Sequence, residues 1–159
     1  MEATLELARG DIGFSAAHFS IHDGRSERLH GHNYCVFLRV SGEVGREGTV
    51  VDFSRLKALL REACAELDER MLVPTRSPSL HVVDLGDSVE VTEGTRRFVL
   101  PHDDVVLLPI VNSTCECIAA YLLERLTPRV EGSVHDIEVR VEESPGQGAA
   151  VTSRVRESP

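Results

Sequence analysis

Alternating apolar and polar residues predict four β-strands in two groups along the chain. The first group covers residues 4–19, where the alternation is partial, and residues 33–41, a run rich in apolar and aromatic side chains. These two strands should form a hairpin, joined by a charged loop at 21–28 that is too long for a tight turn. The second group covers 135–143, where apolar residues occupy every second position, and 149–155. The pattern therefore places one strand pair near each end of the chain.

Two amphipathic helices are predicted between the strand pairs. The first begins after Asp52, a suitable N-cap, and ends near Asp68. Its apolar stripe consists of Leu56, Leu59, Leu60, Ala63 and Leu67. The second begins at Ser113, because Ser113 and Glu116 fit a capping box, and it ends before Pro128. The capping box alone would give Glu116 a structural explanation.

The order of these elements predicts an α+β fold. Short β-rich runs over 80–111, interrupted by glycines and a proline, indicate an inserted hairpin or small excursion. The remainder follows the order ββααββ, which describes an antiparallel four-stranded sheet with two helices on one face. A length of 159 residues, 42% of them hydrophobic, fits one domain over 1–159.

The amino-acid composition indicates which partners the protein does not bind and where in the cell it is expected. A net charge of -9 argues against general nucleic-acid binding, which depends on neutralising phosphates with Lys and Arg. No apolar run approaches the ~20 residues of a membrane span, so we expect a cytoplasmic protein that contacts no membrane. The four cysteines lack zinc-ribbon and thioredoxin spacing, and three of them have apolar neighbours, which is typical of buried free thiols and not of a disulfide framework.

Three histidines form the most informative chemical pattern. His30 and His32 are two residues apart in an extended segment, so both can point to one face, and His18 can join them from the neighbouring strand. Neutral imidazole suits zinc, and three protein ligands with an open fourth position are typical of a catalytic zinc site. The alternative is that these are separate polar residues near strand ends.

A carboxylate ends the apolar face of the strand at 135–143. His135, Ile137, Val139, Val141 and Glu143 share this face. A carboxylate is costly to desolvate unless something binds it. Glu143 is therefore a candidate ligand anchor, and simple exposure at the strand end is the alternative.

Six short motifs occur in order along the chain. They are FSAAH at 14–18, LHGHNY at 29–34, GTVVDF at 48–53, LD at 67–68, STCE at 113–116 and VEES at 141–144. Together they resemble the family of 6-pyruvoyltetrahydropterin and 6-carboxytetrahydropterin synthases. The resemblance leaves 73–109 largely as a β-rich insertion. It implies a tunnelling fold in a homohexamer, a dimer of trimers with active sites between subunits.

The resemblance also implies roles for individual residues. Zinc would be held by His18, His30 and His32. Glu143 would bind the guanidine-like edge of a pterin substrate, with Thr114 and Glu116 near the same pocket.

The chain departs from the family at the position of the usual catalytic base. Relatives place a proton-shuttling cysteine four residues before HGH, where this chain has Ser26. A serine hydroxyl is too weak an acid to replace a thiolate at neutral pH. The next residue, Glu27, resembles a glutamate of a variant branch that cleaves the side chain of dihydroneopterin. A surface charge on a solvated loop is the alternative for Glu27.

A second departure follows Asp68. Relatives have a histidine after this aspartate, and here the next residue is Glu69. Glu69 could act as acid or base, or His81 or His102 of the insertion could take the place of the histidine. The alternative is an ordinary exposed helix end, although two acids there oppose the helix dipole.

We therefore expect a zinc-dependent lyase that acts on 7,8-dihydroneopterin or its triphosphate and leaves 6-hydroxymethyl-7,8-dihydropterin. Glu27 would be the base, with help from Asp68 and Glu69. Two other enzyme activities stay open, the 6-carboxytetrahydropterin synthase reaction on the 7-deazaguanine route and the 6-pyruvoyltetrahydropterin synthase reaction. A non-catalytic zinc-containing pterin binder is the alternative of another class.

Overall fold

The structure is a computed structural model that describes residues 1–8 and 10–155. Its strands, in chain order, are β1 (Glu2–Leu7), β2 (Gly13–His18), β3 (Ile21–His22), β4 (Arg25–Ser26), β5 (His30–Glu43), β6 (Arg70–Pro74), β7 (His81–Asp84), β8 (Ser88–Glu93), β9 (Arg96–Pro101), β10 (Val105–Leu108), β11 (Val134–Ser144) and β12 (Gln147–Arg154). The helices are α1 (Phe53–Ala65) and α2 (Cys115–Leu126). No helix in these described ranges is both long and apolar enough to cross a membrane.

The long strand β5 organises the main sheet. β2 pairs with its first half and β1 with its second half, both antiparallel. On its other side β5 pairs with β11, which pairs in turn with β12. The sequence predicted two of these pairings. They are the pairing of the N-terminal strands with β5 and the pairing of β11 with β12.

The predicted first strand at 4–19 is divided into β1 and β2. Gly10 has a φ of +60°, which breaks the extended conformation between the two strands. At Gly13 a Cβ atom would lie 1.9 Å from the Tyr34 carbonyl oxygen, so only glycine allows β2 to approach β5 there. The predicted single strand is thus two strands, which pair with different halves of β5.

The main sheet has seven strands and is mixed, which corrects the prediction of a four-stranded antiparallel sheet. β6 pairs in parallel with both β2 and β10. Parallel neighbours need a long crossover, and the segment between β6 and β10 supplies it. That segment is the predicted insertion, and it folds as a three-stranded antiparallel sheet of β7, β8 and β9. The ends of the 73–109 range thus belong to the main sheet.

The two helices cover one face of the main sheet. The apolar residues of β5 and β11 on this face are buried against them, namely Tyr34, Val36, Leu38, Val40, Ile137, Val139 and Val141. Asp52 caps α1 as predicted, since its Oδ1 accepts a hydrogen bond from the Ser54 N–H at 2.7 Å. His30 and His32, at the start of β5, lie on this same face of the sheet.

The opposite face of the sheet is charged. Arg39 pairs with Glu6 at 3.0 Å, and Arg154 pairs with Asp136 at 3.8 Å. These pairs lie on strands whose other face is the core, so one face of the sheet is dry and the other is polar.

Candidate active site

The three histidines meet at the end of the β2–β5 hairpin. His18 lies directly opposite His30 in the register, and His32 is two residues further along β5 on the same face. One nitrogen from each ring lies within 4.8 Å of one nitrogen from each of the others. The structure therefore brings together the three residues that the sequence singled out as metal ligands.

Hydrogen bonds orient two of the rings toward the centre of the group. Nδ1–H of His18 donates to the Ser113 carbonyl oxygen at 2.9 Å, and Nδ1–H of His30 donates to the Arg28 carbonyl oxygen at 2.8 Å. Each bond leaves Nε2 with a free lone pair. The Nε2 of His18 is buried and has no hydrogen-bond partner, and such an atom is costly unless a ligand satisfies it.

The charge state of His18 also suits a metal. Burial lowers the pKa of His18 below its usual value, with smaller contributions from the neighbouring His30 and His32 rings. The neutral imidazole, which is the form that binds metal, is therefore favoured. An orphaned buried nitrogen, two oriented rings and a neutral His18 imidazole together fit a divalent transition metal such as zinc.

Ser113 supports this group and was not predicted as a site residue. It is fully buried, its Oγ donates to the Phe19 carbonyl oxygen at 2.8 Å, and its own carbonyl holds His18. The predicted helix start at Ser113 is wrong by one residue. Thr114 is the N-cap and accepts from the Cys117 N–H, because the Ser113 hydroxyl is already occupied.

Glu27 lies beside the histidines on the loop after β4. Its Oε1 is 4.0 Å from Nε2 of His30. The same oxygen accepts hydrogen bonds from the Ser20 N–H at 2.8 Å and from the Ser20 hydroxyl at 2.5 Å. The hydroxyl bond is the main cause of a lowered pKa at Glu27, because it stabilises the ionised carboxylate.

His22 extends this hydrogen-bond chain. Its Nε2 lies 3.0 Å from the Ser20 hydroxyl oxygen, and the proton of that hydroxyl is directed at Glu27. His22 was not among the predicted site residues, because its position in a charged loop gave no signal.

Glu143 lies on the other side of the group. Its Oε2 is 4.0 Å from Nε2 of His32 and 3.8 Å from the Cys115 thiol sulfur. The pairing of β11 with β12 is irregular between Glu142 and Ser144. Glu143 nevertheless follows the alternation of Val139 and Val141 on β11, which places it on the face of the histidines.

A cleft of about 260 Å³ lies between His18 and Glu143. It is lined by His18, Ser20, His22, Thr114, Cys115, Glu116, Glu143, Gln147 and Gly148. The two predicted substrate-binding residues at the start of α2, Thr114 and Glu116, thus share one cleft with Glu143. Burial and the Glu143 charge raise the pKa of the Cys115 thiol to about 11, so this thiol stays protonated.

Asp68 and Glu69 do not contact the three-histidine group of their own chain. Asp68 Oδ1 accepts from the Ser15 N–H at 2.7 Å, and the Glu69 N–H donates to the Ser15 carbonyl oxygen at 2.7 Å. Both side chains are exposed, at the start of β6. His81 is exposed in β7, and His102 pairs with Asp84 at 3.5 Å, so neither belongs to the group.

The chain matches a known family over nearly its whole length. The family model described as 6-pyruvoyl tetrahydropterin synthase matches residues 9–154. The chain belongs to this family. A Pyrococcus horikoshii protein, provisionally named 6-carboxy-5,6,7,8-tetrahydropterin synthase, is 30% identical over 141 residues, covering 87% of this chain and 85% of the relative. A Methanocaldococcus jannaschii protein with the same provisional name is also 30% identical, over 87% of this chain and 88% of its own.

Solved members of the family have the same fold. The crystal structure of 6-pyruvoyl tetrahydropterin synthase from Plasmodium vivax superposes with a TM-score of 0.92 at 34% identity, covering 98% of this chain and 99% of that one. A variant of that protein, in which a glutamate described as a catalytic residue is replaced by alanine, gives the same score. The predicted α+β tunnelling fold is confirmed.

Proposed function

We propose that this family member is a zinc-dependent lyase that cleaves the side chain of 7,8-dihydroneopterin or its triphosphate to give 6-hydroxymethyl-7,8-dihydropterin. The observation that carries the proposal is the Glu27 carboxylate, 4.0 Å from His30 and held in place by hydrogen bonds from Ser20. It supplies a base beside the metal ligands in a chain that lacks the family's cysteine. The catalytic glutamate of the Plasmodium vivax protein gives this assignment further support.

His18, His30 and His32 would hold the ion through their Nε2 atoms. A zinc ion bound there would polarise the side-chain oxygens of a substrate and lower the pKa of a hydroxyl. Glu143 would accept paired hydrogen bonds from the pterin edge, which places the substrate side chain over the histidines. Thr114 and Glu116 would line the same end of the pocket.

Glu27 would start the cleavage by taking the proton from the hydroxyl on the second carbon of the side chain. The bond between the first and second carbons then breaks as the second carbon becomes an aldehyde. Its electron pair passes into the C6–N5 imine of the dihydropterin. Return of a proton to the first carbon gives the hydroxymethyl product and a two-carbon aldehyde, so atoms and electrons balance. The lowered pKa of Glu27 weakens it as a base, and close positioning must offset this.

Product analysis tests the reaction. Purified protein is incubated with 7,8-dihydroneopterin and, separately, with its triphosphate, and the products are separated by chromatography. We expect 6-hydroxymethyl-7,8-dihydropterin. The names of the Pyrococcus and Methanocaldococcus relatives favour a second candidate, 6-carboxytetrahydropterin synthase, which would give 6-carboxytetrahydropterin instead. 6-Pyruvoyltetrahydropterin would indicate the activity named for the Plasmodium vivax relative, and tight pterin binding without product would indicate a binding protein.

Glu143→Gln should weaken pterin binding by about 10–100-fold. Charge-assisted hydrogen bonds contribute about 1.5–3 kcal/mol each, and the amide retains one acceptor oxygen without the charge. Isothermal titration calorimetry with a pterin measures the affinity. Glu142→Gln is the matched control, because the Glu142 carboxylate pairs with Arg140 and not with the histidines. Equal affinities for the wild type and Glu143→Gln would place the pterin elsewhere.

We also propose a homohexamer with sites between subunits. Asp68 and Glu69 lie outside the cleft of their own chain, so any catalytic role for them would be at the site of a neighbouring subunit. The charged sheet face and the open edge of β12 are surfaces that closure into a ring would cover. Light scattering should therefore give about six times the chain mass of 17.5 kDa. A species of 17.5 kDa at working concentrations would contradict this assembly.

A further inference from the structure

The tip of the β8–β9 hairpin grips the loop that carries Glu27. Glu93 accepts hydrogen bonds from the Ser26 N–H at 2.6 Å and from the Ser26 hydroxyl. Arg96 donates through Nη1 to the carbonyl oxygens of Ser26 and Glu27, both at 3.0 Å, and to the Ser26 hydroxyl oxygen. Every polar group of Ser26 is therefore paired with the insertion.

The same hairpin also supports the strand end that carries His18. Phe19 is 1% exposed and stacks on Phe98 of β9 with ring centroids 5.5 Å apart. The Arg96 guanidinium lies 5.3 Å from the Phe98 ring centre and 5.9 Å from that of Phe19. One arginine thus contacts both the Glu27 loop and the residue that follows His18.

The Glu27 loop needs such support from outside. Its only regular structure is the pair β3 and β4, with two residues in each strand, and a hairpin of this size is marginal alone. Fixing the loop costs conformational entropy that local contacts within four strand residues cannot offset. The Glu93 side chain is only 15% exposed, so its hydrogen bonds to Ser26 are partly shielded from water.

We propose that Glu93 and Arg96 are positioning residues that hold the Glu27 carboxylate at the three-histidine group. The inference rests on the proposed function for the role of Glu27, and it assigns a task to the insertion. It also gives a structural role to Ser26, which stands where relatives have the cysteine. The Ser26 side chain faces the insertion and attaches the loop to it.

The test combines kinetics with amide exchange on Glu93→Ala and Arg96→Ala. We expect kcat to fall about 10–100-fold with little change in KM, since small displacements of a catalytic group have effects of this size. In metal-free protein, hydrogen–deuterium exchange of the peptide 20–28, read by mass spectrometry, should be on the order of tenfold faster. Exchange in β5 and α2 should stay at the wild-type rate, which shows that the fold is intact.

Two further variants sharpen the test. Arg97→Ala is the matched control, because Arg97 lies on the same hairpin and pairs with Glu90 at 2.8 Å instead of with the loop. It should leave both kcat and loop exchange unchanged. Arg96→Lys should recover part of kcat, since an ammonium can still donate to the two carbonyl oxygens.

The outcomes separate this inference from the proposed function. Unchanged exchange at 20–28 in Glu93→Ala and Arg96→Ala would overturn it. Faster exchange with wild-type kcat, in a protein that Glu27→Gln inactivates, would also overturn it. If Glu27→Gln is fully active, the proposed role of Glu27 fails, whereas the exchange results still decide whether the hairpin holds the loop.

Discussion

Replacing Glu27 by glutamine should lower kcat by about 10²–10⁴-fold, with KM close to that of the wild type. Glutamine keeps the size of the side chain and an oxygen that accepts from the Ser20 N–H, so the loop should stay in place. It removes the basic carboxylate that lies 4.0 Å from His30. Steady-state kinetics on dihydroneopterin, with chromatographic detection of the hydroxymethyl product, measures the loss.

Two measurements guard the interpretation of this variant. Metal content by elemental analysis should equal that of the wild type, because Glu27 is not one of the three proposed ligands. Glu90→Gln, on an exposed ion pair of the insertion, should keep full activity. If Glu27→Gln turns over at the wild-type rate, Glu27 is a surface charge on the loop, as its local composition also allowed.

Short-range patterns predicted much of the fold and part of the site. The two-residue period brought His30 and His32 to one face, and the hairpin brought His18 opposite His30. The same period placed Glu143 at the end of a buried face, where the structure has it beside His32. In each case the geometry depends on neighbours within one strand or one strand pair, and a sequence encodes such neighbours directly.

The features that the sequence did not predict depend on distant segments. The Ser113 carbonyl holds His18 across 95 positions, and the Ser113 hydroxyl donates to the carbonyl oxygen of Phe19, so that Thr114 is the helix cap. β10 pairs with β6 because the inserted strands β7, β8 and β9 bring the chain back to the edge of the main sheet beside β6. Nothing local marks Glu93 and Arg96 as partners of Ser26, 67 and 70 positions away. Motif resemblance could not supply the contacts of Glu93 and Arg96 either, because neither residue belongs to one of the six motifs.

Replacing His18 by glutamine should remove the metal and the activity together. The Nε2 of His18 is the buried nitrogen without a partner, and two histidines are left to hold the ion. Removing an outer hydrogen-bond partner of a ligand typically costs about 10–100-fold in metal affinity, and loss of a ligand should cost more. Elemental analysis and anomalous scattering on the wild type should show one zinc per chain, with ring nitrogens at about 2.0–2.1 Å.

Thermal unfolding gives a second readout that does not depend on turnover. A bound ion stabilises the folded state by mass action, so a chelator should lower the Tm of the wild type and leave that of His18→Gln nearly unchanged. His18 is buried, and its loss alone could destabilise the core; His32→Gln repeats the test at a half-buried ligand. His81→Gln and His102→Gln are the controls, since both histidines lie in the insertion away from the group. Wild-type protein without a transition metal, or full metal content in both His18→Gln and His32→Gln, would refute the metal site and with it the lyase mechanism.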